Sequence, residues 1–433
     1  MLLIYSPQIT NRLRYAVKLV FTNCVQAEYK LVDSIEEFNS HNGPKLSYGK
    51  QAVGNEPFVY AEGMLSETGF RTEQPAKGAD YKGISTIFST DTNSILPFDV
   101  FAAAFYIASR YEEYLPHERD NHDRYIPTES IHHKYGFLNK PVVNIWSAEL
   151  ATLLQALYAD FTWEKPKFTF TSTIDIDNAF AFAHKGLLRG VAGLAGDVLD
   201  LKFKRIPKRF LSWMHDANDP YNTFHIIEDL AAKYKHRLKF FVLVADYGHN
   251  DKNPDWENRG FQQLIKRLAD KYAIGVHPSY ASYLHIDKVG EERDRVAQII
   301  GRHVDTARCH FLRLKFPTTY RTQLYFNIYD DYTMAHSPLP GFRAGMCTPF
   351  KWFDIERDTE TGLNLHPSTV MEGTLRDYMK LSPQQATATI AQLMQEVKAV
   401  GGEFISIWHN DSFTLENTEW VEVYEEMIKL AVE

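Results

Sequence analysis

The chain has 433 residues, with 47 Lys and Arg against 55 Asp and Glu, a net charge of −8. Its length predicts two or three domains, and 44% hydrophobic with 24% charged residues excludes disorder for the bulk of it. The acidic balance argues against non-specific nucleic-acid binding, which draws on a basic surface. Cys24, Cys309 and Cys347 lie far apart with no Cys-x-x-Cys pair, so neither a zinc ribbon nor a disulfide framework is expected. The opening MLLIYSPQITNRLRY lacks the apolar stretch of a signal peptide. No window supplies the ~18 apolar residues of a membrane span, and a cytoplasmic location is expected.

Leu2–Tyr5 reads as a strand, followed by a helix over Gln8–Thr22 with Leu13, Val17, Val20 and Phe21 at helical spacing. His41–Asn93 suits short strands and turns. Pro97–Pro116 has an Ala- and aromatic-rich face between two prolines and predicts a buried helix ending in Arg110-Tyr111-Glu112-Glu113. His117–Gly136 reads as a polar loop, with the His132-His133 pair solvated. The pattern changes near Phe161, and a boundary is expected at about 155–166, dividing 1–160 from 165–433. Beyond it, strands alternate with helices as in an α/β layer or barrel. The strands are Phe168–Ile176, Leu238–Val244, Ala273–Val276, His310–Leu314 and Phe404–Trp408. The helices are Thr223–Tyr234, Asn258–Lys271, Glu291–Arg302 and Pro383–Val400.

Several of these strands carry or end in groups that ionise or bind metal: Asp175 and Asp177, Asp246, His277, Arg313, then His409-Asn410-Asp411. In parallel α/β folds the loops at the carboxyl ends of strands converge on one mouth. Asp175 and Asp177 are two residues apart and project to one side of a strand. A divalent metal takes His nitrogen and Asp oxygen while keeping a position for water. A second carboxylate can then accept a proton and a facing His can protonate a leaving amine. Taken singly, the Asp pair equally suits a helix cap, and Arg313 equally suits a structural ion pair. Together they favour a metal-assisted hydrolase, provided Asp177 and His277 come within reach of one ion.

Ser172-Thr173-Ile174-Asp175-Ile176-Asp177, Ile274-Gly275-Val276-His277-Pro278-Ser279 and Phe404-Ile405-Ser406-Ile407-Trp408-His409 resemble, in order, the motifs of the polysaccharide deacetylases. GFRAGMCTPF, residues 341–350, adds to the likeness. The resemblance covers about residues 165–433, and residues 1–160 resemble an uncharacterised N-terminal domain of a bacterial branch. It implies a distorted, incomplete (β/α) barrel after a smaller α/β domain, and hydrolysis of N-acetyl groups on an amino-sugar polymer or precursor. It implies a divalent metal, zinc first and cobalt, nickel or manganese as alternatives. Asp175 matches the base, Asp177 and His277 the metal ligands, and His409 the general acid. Arg313 matches the arginine that steadies the base, with Arg343 as its rival and Glu372 as an acidic partner. Tyr247, Tyr280 and Trp408 are candidates to stack on sugar rings.

Two departures stand out. Ile176 separates aspartates that are usually adjacent, so the base and ligand roles can be exchanged. Ala281 stands where a second metal histidine is expected, leaving Ser279, Ser282, His285 or solvent to complete the shell. A degenerate carbohydrate-binding protein and a hydrolase of small amides or formamides are therefore the alternatives.

Overall fold

Residues 1–433 are described by a computed structural model. β1 (Leu2–Tyr5), β2 (Tyr29–Val32), β3 (Lys45–Gly49) and β4 (Phe58–Tyr60) form a parallel sheet in the order β2-β1-β3-β4. α1 (Asn11–Lys18) starts at Thr10, whose side chain accepts from the Leu13 N–H, and runs on into a wider π turn to Cys24. α2 (Ile35–Ser40) is capped by Ser34. A two-stranded ribbon, β5 (Asp80–Tyr81) with β6 (Ile84–Ser85), precedes α3 (Val100–Ala108). All nine residues of α3 are buried, as its unbroken apolar sequence requires. Asp99 caps it, and its carboxylate also accepts from Tyr48 Oη and the Glu62 N–H.

The expected continuation of α3 to Pro116 is shorter: Arg110 adopts a left-handed conformation and a 3-10 turn follows. The expected polar loop is likewise mostly packed. It holds α4 (Ile131–Lys134), and His132 is fully buried rather than solvated. α5 (Val142–Leu157) closes this half with Trp146, Leu150 and Leu154 turned inward. The core here also takes in Leu314, Phe316, Tyr320, Trp352 and Phe353 from much later in the chain.

β7 (Thr169–Ile176) is central to a second, nine-stranded sheet. Two helices, α6 (Leu187–Leu199) and α7 (Arg205–Met214), follow it and have no counterpart in the elements expected from sequence. Next come α8 (Phe224–Tyr234), β8 (Arg237–Val242), α9 (Arg259–Ala269), β9 (Ala273–Val276), α10 (Asp287–Ile300) and the two-residue β10 (Thr306–Ala307). α11 (Thr318–Tyr325), β11 (Asp330–Asp331) and the antiparallel pair β12 (Phe350–Asp354) and β13 (Thr359–Leu365) complete one flank. β14 (Val370–Met371), α12 (Pro383–Val400), β15 (Glu403–His409) and α13 (Thr418–Val432) complete the other. The order is β12-β13-β11-β10-β9-β8-β7-β15-β14, parallel except for β12, and it runs from edge to edge without closing. The barrel expectation is thus met only as a large mixed α/β sheet.

β7, β8, β9 and β15 fall within two residues of their expected bounds: β9 and the middle of β15 are largely apolar, β8 ends in the apolar Phe240-Phe241-Val242, and β7 is a β-branched stretch with Phe170, Ile174 and Ile176 at alternate positions. α12 has the same start in sequence and structure because Ser382 and Gln385 form a capping box with Pro383 in the first turn. Its end is set by Gly401 at φ +71°, where an added Cβ would meet the Pro166 carbonyl at 1.8 Å. His310–Leu314, expected as a strand, is a 3-10 turn, His310–Leu312, with Phe311 at φ 61°.

Candidate active site

Asp175 is in β7 and Asp177 one residue past its end; His277 lies one residue past β9, His310 three past β10, and His409 ends β15. All five therefore stand at the carboxyl ends of parallel strands, where the loops open. β9 and β10 are neighbours, with Ala307 opposite Val276, so the turns that follow them carry His277 and His310 side by side. The two rings lie 5.0 Å apart between centroids.

Asp177, His277 and His310 offer ligand atoms that all lie within 4.8 Å of one another. His277 Nε2 stands 3.2 Å from Asp177 Oδ1 and His310 Nε2 3.2 Å from Asp177 Oδ2. A tetrahedral site with bonds of ~2.0 Å has edges of ~3.3 Å, so both spacings suit a shared zinc-sized ion. The outer hydrogen bonds aim the rings. His277 Nδ1 donates to the Arg308 carbonyl at 2.5 Å, and His310 Nδ1 donates to Asp251 Oδ1 at 3.0 Å. Neither acceptor can donate, so each ring, in its neutral form, presents an Nε2 lone pair to the cluster. Asp177 Oδ1 is buried without a hydrogen bond, facing that lone pair.

Burial opposes charge here, yet the charges still win. Asp177 and Asp251 carry His310 up to about 9 against desolvation. His310 and His277 in turn hold the Asp177 carboxyl well below its ordinary value. The cluster therefore favours positive charge at its centre, and two imidazoles with a carboxylate suit a divalent cation.

Asp175 is 3% exposed and receives a 2.7 Å hydrogen bond from Arg308 Nη1, while its Oδ2 lies 3.8 Å from His277 Nε2. Arg308 is itself fixed by Nε to the Tyr332 carbonyl and by the Phe241 ring 4.4 Å beneath its guanidinium. Across the site His409 Nε2 lies 3.7 Å from Asp177 Oδ2. His409 Nδ1 donates to Glu372 Oε1 at 2.8 Å, and that oxygen also accepts from the His409 N–H and Ser412 Oγ. Burial lowers the affinity of His409 for a proton, but Glu372, with Asp177 and Asp175, more than reverses this and raises its pKa well above the usual value. These groups line a cleft of about 300 Å³ with Arg124, Met371, Arg376 and Tyr378 at its mouth. Arg124 comes from the N-terminal half and bonds the Phe311 carbonyl and Tyr378 Oη.

The structure thus brings Asp175, Asp177, His277, His409 and Glu372 together, and it parts Arg313 and Arg343 from them. Arg308, not Arg313, bonds Asp175. Because the expected strand over 310–314 is a turn, Arg313 points elsewhere. Its guanidinium lies 4.0 Å and 3.7 Å from the Tyr280 and Tyr283 ring centres and donates to the His122 and Tyr280 carbonyls. Arg343 forms a buried bidentate pair with Glu113, which Arg110 also binds. Glu372 partners His409 rather than an arginine. Ala281 bonds Asp251 only through its backbone, the Ser279 and Ser282 hydroxyls bond each other's turn, and His285 is exposed. His310 is the third donor that the sequence reading overlooked. Trp408 is core, packed 4.9 Å from Tyr424 between ring centres, and exposed Tyr247 lies under Arg189.

Residues 2–159 match the model of a family of unknown function (DUF7033). No curated protein matches the chain in sequence. Among solved structures it is similar to a Mycobacterium smegmatis protein assigned as a polysaccharide deacetylase, at 14% identity and TM-score 0.41, over 61% of this chain and 85% of that one. A crystal structure titled Puue allantoinase aligns at 9% identity and TM-score 0.38, over 60% and 83%. A polysaccharide deacetylase from Bacillus cereus aligns at 14% identity and TM-score 0.30, over 60% and 85%. These likenesses are too distant to carry a function, which must rest on the geometry of the cleft.

Proposed function

We propose that the chain is a divalent-metal-dependent hydrolase of carbon–nitrogen amide bonds, and that its substrate is an N-acylated, most simply N-acetylated, amino sugar or glycan. One observation carries the reading: the Asp177–His277–His310 donor set lies between two further ionisable groups, Asp175 on one side and His409 on the other. Asp177, His277 and His310 would hold the metal. When bound it supplies Lewis acidity, polarising a carbonyl and bringing the pKa of a water towards about 7.

The residues divide the remaining work. Asp175, held by Arg308, accepts the proton of the attacking water through its free Oδ2. Asp177 spends both oxygens on the two histidines, which favours Asp175 over Asp177 as base. The Glu372 carboxylate accepts from His409 Nδ1 and favours the protonated ring, with Nε2 turned to the cleft. As the tetrahedral adduct collapses and the C–N bond breaks, His409 Nε2 gives its proton to the departing amine. Water, amide and enzyme thereby yield carboxylic acid, amine and an enzyme restored once the proton on Asp175 reaches His409, directly or through solvent.

The degenerate alternative drew its support from Ala281, and His310 removes that support by offering a third donor from the next strand. Metal analysis of the purified protein, with acetate release from N-acetylated oligosaccharides compared with formate release from formamido sugars, tests the proposal. Stoichiometric metal with acetate release is expected. Metal with formate release alone would transfer the assignment to the formamide alternative. A protein that binds no divalent metal would refute the hydrolase reading.

A further inference from the structure

The hairpin of α6 and α7 is built inside out. Its buried residues are Gly190 and Asp197 on α6 and Arg209 and Ser212 on α7, and Arg209 donates to Asp197 between the helices. Gly193 makes room for this pairing, since a Cβ there would meet Arg209 Nη1 at 2.8 Å. The large apolar side chains point the other way. Leu188, Leu199, Leu201 and Met214 are 87%, 82%, 72% and 72% exposed, with Val191 and Phe203 exposed beside them. An amphipathic helix in a water-soluble surface buries its leucines and shows its charges; this pair does the reverse, and a patch of this kind marks an interaction surface.

Charge selects the occupant. Residues 187–214 hold six Lys and Arg against two Asp, a balance of +4 in a chain whose total is −8. Lys202, Lys204, Arg205 and Lys208 are exposed around the apolar tip formed by Leu199, Leu201 and Phe203; Lys202, Arg205 and Lys208 reach Asp200, Asp197 and Glu416, and Lys204 has no acidic partner. An exposed apolar tip ringed by cations suits an anionic lipid surface, with leucines entering the acyl boundary and ammonium groups remaining among the headgroups. At 13 residues α6 spans ~20 Å and is too short to cross a bilayer of ~30 Å; it would lie in the interface.

The hairpin is also fastened to the rim of the cleft. It begins ten residues after Asp177. Arg189 donates to the Lys252 and Asn253 carbonyls, next to Asp251. Lys208 pairs with Glu416 in the segment after His409, beside Leu415, which is exposed.

We propose that residues 187–214 dock the protein on an anionic membrane surface and set the mouth of the cleft beside the headgroups. The docking stands on the hairpin alone; only the corollary, that the acylated amine is membrane-associated, rests on the proposed hydrolase. The test is flotation of the full chain with vesicles of phosphatidylcholine, alone or mixed with phosphatidylglycerol. Binding is expected only to the anionic vesicles and should weaken as salt rises. Lys202→Gln with Lys204→Gln should weaken it ~25-fold, at ~5-fold per charge near the surface. Leu199→Ser with Leu201→Ser and Phe203→Ser should abolish it. Both variants should keep wild-type metal content and turnover of a soluble substrate, which separates failed docking from a failed active site. Equal binding to neutral vesicles would overturn the proposal. So would no binding at all, or a concentration-dependent dimer that the Leu/Phe variant dissolves and vesicles leave untouched.

Discussion

His310→Ala is the most direct perturbation of the proposed centre, because it tests a donor that no motif pointed to. Its Nε2 is one of three protein atoms in the cluster. Structural zinc held by four protein ligands is worth ~10–16 kcal/mol, or ~2.5–4 kcal/mol per ligand. Removing one of three ligands should therefore weaken metal affinity ~10²–10³-fold, at 1.4 kcal/mol per tenfold. Asp251→Asn leaves the ring in place but replaces the carboxylate that accepts from Nδ1, and outer-shell changes of this kind cost ~10–100-fold. His285→Ala removes an exposed histidine that the sequence offered to complete the shell, and it should change nothing. Competition with a chromogenic chelator measures all three on one scale. The expected order is His310→Ala, then Asp251→Asn, then His285→Ala with wild type. Wild-type affinity in His310→Ala, or a loss in His285→Ala as large, would refute the assignment of the third ligand.

Three other outcomes follow from the same geometry. Asp175→Asn should retain metal in elemental analysis and lose ~10²–10⁴-fold in acetate release; retained turnover would remove Asp175 from the role of base. Glu372→Gln should lower kcat while leaving metal content unchanged, because it deprives His409 of the carboxylate that orients and charges it; an unchanged kcat in steady-state assays would count against His409 as proton donor. Glu113→Gln should destabilise the fold by ~3–5 kcal/mol, read as a fall in thermal midpoint, because it leaves Arg343 buried against a neutral amide and Arg110 with Glu112 alone. Burial alone would raise the Glu113 carboxyl, but Arg343 and Arg110 bring it from 4.5 down to about 2. The Glu113 carboxyl thus binds fewer protons folded than unfolded. Its contribution is therefore complete above about 4.5 and is lost as pH falls towards about 2, and a wild-type acid melt without that loss would contradict the ion pairing.

Which parts of this site were legible in the sequence depends on how each strand announces itself. β9 and β15 are largely apolar and β7 alternates β-branched with apolar residues, and they lead into His277, His409 and Asp177, so both the strand and the group at its end could be read. β10 has two residues, Thr306 and Ala307, too few for any periodicity, and it is recognisable only by its pairing with β9 and β11. Without it, the apolar Phe311, Leu312 and Leu314 drew the strand four residues late. That shift turned His310 from a residue past a strand end into the first residue of a strand, and it pointed to Arg313 where Arg308 lies one residue beyond β10. Placing the strand at 306–307 would have brought Arg308 and His310 to the mouth together. Arg343 fails for another reason: its partner Glu113 is 230 residues earlier, and no local pattern encodes a pair across that distance.

The position of the third donor also has a simple mechanical basis. Neighbouring strands lie ~4.8 Å apart, so a donor in the turn after β10 reaches one in the turn after β9. In that turn Phe311 is left-handed at φ 61°, and the His310 N–H donates to the Pro278 carbonyl at 2.9 Å, next to His277. The backbone of one ligand turn is thereby tied to that of the other. Asp251 joins them, accepting from His310 Nδ1 and from the Tyr280 and Ala281 N–H groups. The segment around Ala281 thus still serves the proposed centre, through backbone donors that steady Asp251 and, through it, the imidazole of His310. It follows that Ala281→His should not strengthen metal binding: the position is committed to the outer shell, and a larger side chain there can only disturb Asp251. Measured affinity equal to or below wild type is the expected result, and a gain would mean that the 281 turn still faces the ion.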